Sequence, residues 1–308
     1  MPFKHWIQRT VTKYRIRWNG NAFFSRNFDK EMLFIMTPGR SGSTLLRRYL
    51  MENFYVHIPP ESSAIIPVCA QEFALRFGHR DHETLLRRVL ARVSSFEFRH
   101  WNLGEDELID FLNKKLDVHG KLGLDDLIYG FYDLHREKFN PDAILLGDKT
   151  PYLVYYLDMI PRIFKQAKYI FLIRHPFAVV ASRMNRFSES VESALNRWLS
   201  AIRSIEKSAP FRTGSGFVLR YEDLIEDPQR MLQMVGDSLE LKPRVVKRHF
   251  DDEVLGDIML AHHIHSRSNI ISDRNNALTK KLRDADLKLI AQRTKRYLQL
   301  FNYEDSSY

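Results

Sequence analysis

Phe34–Leu50 reads FIMTPGRSGSTLLRRYL. An apolar run from Met32 to Met36 stops at Pro38 and Gly39, passes through Arg40-Ser41-Gly42-Ser43-Thr44, and enters a helix whose apolar stripe is Leu45, Leu46 and Leu50. Strand, tight loop and helix in that order form a cradle for phosphate. Gly39 and Gly42 permit backbone angles closed to other residues, and the amides of Ser41 to Thr44 point at an anion held at the positive end of the helix. Ser43 and Thr44 add hydroxyl donors. The bland alternative is a strand-to-helix turn with serine as its cap. A nucleoside triphosphatase closes such a loop with a Lys-Ser or Lys-Thr pair, and this loop has neither.

Outward from the loop, strands and helices alternate. The helix of the loop runs from about Thr44 to Asn53 and is followed by FYVHIPPESSAIIP, a short strand ended by Pro59-Pro60. From Val68 to Phe139 the pattern is helical, with breaks near Gly78, Asn102-Leu103-Gly104 and His119-Gly120, so residues 68–140 read as a helical insertion between two strands. AILLGDKTP and AKYIFLIRHP are expected to be buried parallel strands, each ending in charged residues and a proline. Helices are expected from Pro176 to Lys207, a strand at FVLRYEDL, and a long helix around Asp284 to Leu300. The pattern implies an α/β layered fold with a mostly parallel sheet, in which ligands bind outside the carboxyl ends of the strands. The first 30 residues are basic and aromatic; Tyr14, Ile16 and Trp18 alternate with Arg15 and Arg17 as in a short strand, and the same segment also reads as an arm packed on the core or on a second subunit, the latter making a homo-oligomer.

Composition narrows the classes. The 308 residues, 44% apolar and 12% aromatic, suffice for one large core, and the whole chain reads as a single domain. No apolar run approaches the ~20 residues that span a bilayer and no signal-peptide core follows the first residues, so a soluble, cytoplasmic protein without a membrane span is expected. Cys69 is the single cysteine, which excludes an internal disulfide. A formal charge of +9 favours anionic ligands. The arginines are scattered along helices such as LLRRVLARV rather than gathered in a nucleic-acid module, so nucleic acid is not an expected partner.

A triphosphatase also needs an acidic residue at a neighbouring strand end to help hold Mg²⁺. Here a strand ends in Arg174-His175-Pro176, a cation where that carboxylate belongs, which points to a nucleotide carrying additional phosphate. At these residues the chain resembles the sulfotransferases that use 3′-phosphoadenosine 5′-phosphosulfate (PAPS), which have a P-loop-like three-layer fold. Arg40 through Thr44 look like the loop that binds the 5′-phosphosulfate. Arg174, Pro176 and Ser182 match the grip on the 3′-phosphate, with Pro176 suited to a first helical position and Arg186 one turn beyond Ser182. Three matches are similar to the branch of carbohydrate and tyrosyl-protein sulfotransferases and their bacterial relatives. Glu61, 21 residues after Arg40, corresponds to a general base, Lys149 to a lysine that steadies the transferring group, and Tyr221 to an aromatic residue beside the adenine. HSRSNIISDRNN resembles a loop closing over the cofactor, with Ser266 and Arg274 as its binding residues.

The resemblance implies transfer of a sulfuryl group from PAPS, leaving 3′-phosphoadenosine 5′-phosphate (PAP), to the hydroxyl of a small metabolite or saccharide, without a metal. A sulfuryl group in transfer carries less negative charge than a phosphoryl group, so fixed cations and amides suffice. Arg40 is expected at the leaving oxygen, Lys149 at the sulfuryl oxygens, and Glu61 as the base. Rival readings are a P-loop kinase or nucleotide hydrolase and a non-catalytic nucleotide-binding protein. Among single residues, Glu61 also reads as a cap for a helix starting near Ser62, His57 and His175 are rival bases, and Tyr221 reads equally as core. His262, His263 and His265 lack a completing ligand set for zinc.

Overall fold

The computed structural model describes residues 30–62, 65–75, 82–93, 101–119, 123–250 and 282–303. The N-terminal arm up to residue 29, the histidine cluster at 262–265, Ser266 and Arg274 lie outside the described residues. Five strands form a sheet of order β2-β3-β1-β4-β5, with helices in every connection. The strands are β1 (Met32–Met36), β2 (Val56–His57), β3 (Leu145–Asp148), β4 (Ala167–Ile173) and β5 (Gly216–Arg220). β2 pairs with β3 and β4 with β5, both parallel. All five residues of β1 and the last five of β4 are buried, the signature of strands covered on both faces. The expected α/β architecture with a mostly parallel sheet is therefore present.

The chain divides into two compact units. The first comprises Met1–Leu33, Val56–Asp148 and Asp158–Ala167; within it α2 (Ile65–Leu75), α3 (His82–Val93), α4 (Glu105–His119) and α5 (Leu124–Phe139) fall between β2 and β3. The helical run is thus in place by Ile65, three residues before Val68. Its core is aromatic: the Trp101 ring meets Tyr132 at 5.3 Å and His135 at 5.2 Å, both edge-on. Asn140 closes α5 and sends its buried Nδ2 to the Val56 carbonyl at 3.2 Å, tying the helix end back to β2.

The second unit comprises Phe34–Tyr55, Lys149–Leu157 and Lys168–Tyr308. Here α1 (Ser43–Asn53) follows the loop, a 3-10 turn (Pro151–Tyr156) follows Lys149, and α7 (Pro176–Phe187) and α8 (Val191–Lys207) follow β4. The helix α6 (Ile160–Ile163) belongs to the first unit and α9 (Ala209–Arg212) to the second. Helix starts carry the expected chemistry. Pro176 opens α7, and the Ser190 hydroxyl accepts the Ser193 amide at 3.2 Å to cap α8.

One strand is shorter than its sequence suggests. FVLRYEDL ends as a strand at Arg220, and Tyr221 opens the helix α10 (Tyr221–Glu226). Glu222 explains the change: its carboxylate accepts the His175 backbone amide at 3.1 Å and the Tyr303 hydroxyl at 2.6 Å. These bonds recruit the segment to the start of α7. The chain continues through α11 (Pro228–Leu239), capped by Asp227, to α12 (Asp284–Leu300), which has the bounds its sequence implies.

Candidate functional site

The loop between β1 and α1 is held from both sides within the second unit. Thr37 donates its hydroxyl to the Leu172 carbonyl of β4 at 2.7 Å, and Ser41 donates to the Pro38 carbonyl at 2.6 Å. Gly42 then takes a left-handed φ of 89°. A Cβ there would come within 2.3 Å of the Tyr221 ring, so both conformation and contact require glycine. Gly42→Ala is expected to cost about 1–3 kcal/mol from backbone strain, with displacement of Tyr221 added. Urea unfolding measures it, and an unchanged midpoint would mean that the loop yields without cost.

Around this loop the structure gathers most of the residues that the sequence selects. Tyr221 is buried, and the Arg174 guanidinium lies 4.4 Å from its ring centroid, a cation–π distance. Arg174 Nη1 donates to the Arg40 carbonyl at 3.0 Å. Arg40, itself at a left-handed φ of 75°, donates Nε to Ser182 Oγ at 3.2 Å. The loop and the start of α7 are thereby in direct contact. Lys149 completes the group: 1% exposed, it donates Nζ to Thr44 Oγ1 at 3.2 Å. Arg186 lies on the same helix as Ser182 but is exposed, its guanidinium 6.0 Å from the Phe187 ring.

Buried ammonium and guanidinium groups, hydroxyls and loop amides at a helix N-terminus form a donor set suited to a polyanion. The Lys149 contact has a further consequence. In a triphosphatase the loop hydroxyl binds Mg²⁺, whereas here that hydroxyl faces a side-chain ammonium.

Glu61 belongs to the first unit and is half-buried. Its neighbours are both anchored: Trp101 Nε1 donates to the Pro60 carbonyl at 3.1 Å, while Ser62 donates its hydroxyl to Asp148 Oδ2. Tyr132 donates to the same Asp148 oxygen. The helix α2 is described from Ile65, four residues beyond Glu61. One strand does end in an acid, since β3 stops at Asp148. Its carboxylate is nevertheless engaged by Ser62 and Tyr132 within its own unit.

Three of the described histidines behave as core residues. His57 and His135 are buried and share a 2.8 Å bond between Nε2 and Nδ1. His175 caps α7, accepting the Phe177 amide at 3.4 Å, and burial pushes its pKa down to about 3. It is neutral at physiological pH and packs edge-on to Phe177 and Tyr303. Asp148, Tyr132, Glu222 and Thr37 were not marked out by sequence as parts of the site's support. GDKTP held the signal for Asp148, an acid directly before the strand-end lysine.

The family model described as "Sulfotransferase family" matches residues 33–244. A Caenorhabditis briggsae protein named "Putative protein-tyrosine sulfotransferase" is 26% identical over 263 residues, covering 83% of this chain and 80% of the relative. Among solved structures, the sulfotransferase domain from the Synechococcus PCC 7002 olefin synthase aligns with a TM-score of 0.54 at 22% identity, covering 88% of this chain and 98% of that domain. That likeness is one of fold.

Proposed function

The chain belongs to the sulfotransferase family, a family of transferases, and on that premise we propose that it carries a sulfuryl group from PAPS to the hydroxyl of a small metabolite or saccharide. The observation that carries the choice of donor is the cation pair on the loop: Lys149 on the Thr44 hydroxyl and Arg174 on the Arg40 carbonyl. They suit a nucleotide with separate anionic groups at its 5′ and 3′ positions and no accompanying metal.

Bound PAPS supplies a sulfur–oxygen bond that breaks as the acceptor oxygen bonds to sulfur, so that a sulfate ester and PAP are the products. The amides of Ser41 to Thr44 hold the 5′-phosphosulfate, while Arg174 and Ser182 receive the 3′-phosphate, with Arg186 adding charge from the next turn of α7. Arg40 neutralises the leaving oxygen. Lys149 places positive charge at the sulfuryl oxygens, and Tyr221 lies beside the adenine. Glu61 accepts the proton of the attacking hydroxyl. No covalent bond to the protein is needed. Ser266 and Arg274 close over the cofactor in this proposal, on the strength of the sequence resemblance alone.

PAP is expected to raise the melting temperature well above the effect of ATP with Mg²⁺. A ligand at a hundredfold excess over its Kd stabilises by about 2.7 kcal/mol, whereas Mg²⁺ would be repelled by the Lys149 ammonium. Equal or reversed shifts in a thermal scan would defeat the donor assignment. Radiolabelled PAPS with a panel of sugars, small alcohols, phenols and tyrosyl peptides tests the reaction. The tyrosyl arm is included because of the acceptor in the relative's name.

A further inference from the structure

Beside the loop, within the second unit, lies a cleft of about 160 Å³ lined in part by Pro38, Gly39, Pro151, Tyr152, Tyr155 and Arg183. Its walls adjoin the cofactor cluster along the chain: Pro38 and Gly39 precede Arg40, Pro151 follows Lys149 by two residues, and Arg183 follows Ser182. A cavity of about 150 Å³ accepts one benzene-sized ring, so this cleft is the size of a single six-membered ring. Tyr152 and Tyr155 give it an aromatic side, their rings 5.9 Å apart and inclined at 66°.

Arg183 gives the cleft its chemistry. Its Nε and Nη2 grip the Glu189 carboxylate at 3.1 and 2.6 Å, and Phe187 lies 5.3 Å from the guanidinium carbon. With side-chain exposures of 14% and 16%, the pair is largely enclosed, and Arg183 holds the Glu189 carboxyl below the usual range. The remaining nitrogen, Nη1, has no acceptor among the described residues. It lies 3.3 Å from where a Cβ on Gly39 would sit, so the glycine gives it room at the loop. Arg197 approaches the same carboxylate at 3.4 Å. Two guanidinium groups therefore share one carboxylate, leaving one positive charge at the rim and a donor edge aimed by a locked fork.

We propose that this cleft is the acceptor subsite and takes a hydroxylated six-membered ring bearing a carboxylate, which Arg183 Nη1 receives while Tyr152 lies against the ring. The inference rests on the sulfotransferase reading in calling the ring an acceptor; its selectivity for a carboxylated ring stands on the cleft itself. Such a ring belongs to a uronic acid or to a hydroxybenzoate, and matched probes separate the two.

The full-length protein is titrated by ligand-observed NMR with glucuronate against glucose, and with 4-hydroxybenzoate against phenol, with and without PAP. In at least one pair the carboxylated ring is expected to bind roughly tenfold to hundredfold more tightly, as a hydrogen bond to a charged group allows. Arg183→Met is expected to erase that preference, and Arg183→Lys, which keeps the charge but loses the fork, to erase most of it. Equal affinities within both pairs, or a preference that survives both substitutions, would overturn the proposal. If Arg183→Met does not fold, Arg183→Lys alone decides. The melting shift with PAP in the same samples reports separately on the donor: its absence would remove the proposed function without altering the ring selectivity.

Discussion

Glu61→Gln is expected to keep the PAP-induced rise in melting temperature while turnover falls by roughly 10²–10⁴-fold, the contribution typical of a positioned general base. The substitution is close to isosteric, and the two residues beside it are anchored independently. Pro60 is held by Trp101 and Ser62 by Asp148, so the backbone at position 61 has no cause to move. Loss of rate with binding intact would separate proton acceptance from cofactor affinity. Initial rates at saturating PAPS, alongside thermal scans with PAP, provide both readouts. Turnover within about threefold of the unsubstituted protein, well below the range expected for a general base, would move the base to another residue. His57 is a poor successor, because it is wholly buried with Nε2 already bonded to His135.

Lys149→Met should produce a loss of about 10²–10³-fold in turnover, the range seen when one oriented donor to developing charge is removed. The ammonium is 1% exposed and is held on the Thr44 hydroxyl, so it meets its target in a site with little water to screen it. Methionine is of similar length and apolar, which leaves the fold intact and confines the damage to the site. Lys149→Arg should not restore the rate, since a planar fork cannot replace a point charge in so enclosed a position. With the loop hydroxyl of Thr44 bonded to the Lys149 ammonium, the proposed reaction uses no metal, and Mg²⁺ should not rescue either variant. Recovery of activity on adding Mg²⁺ to Lys149→Met would contradict this assignment.

Much of the framework was legible in the chain. Five consecutive apolar residues, a Gly-Ser loop and an apolar helical stripe are local signals, and they became β1, the loop and α1 within a residue of expectation. The bounds of α12 also followed from periodicity alone. Other bounds depended on distant partners. Tyr221 continues the alternation of FVLR, but the bonds from Glu222 to the His175 amide and to Tyr303 draw it into a helix. Likewise, Asp148 looks like a strand-end acid open to a metal until Ser62 and Tyr132 are seen to occupy it.

The sequence alone therefore determined most element types, the strand-end location of the candidate chemistry, and residue kinds suited to an anionic ligand. Tertiary structure decided which of them meet. Arg40 reaches Ser182 across 142 positions and Lys149 reaches Thr44 across 105, and the cleft beside Arg183 has walls from separate strand-end segments. Periodicity records which face of an element is apolar, but not which strand lies next to which. Strand order determines the neighbours of each strand end, and it is expressed only when the sheet assembles.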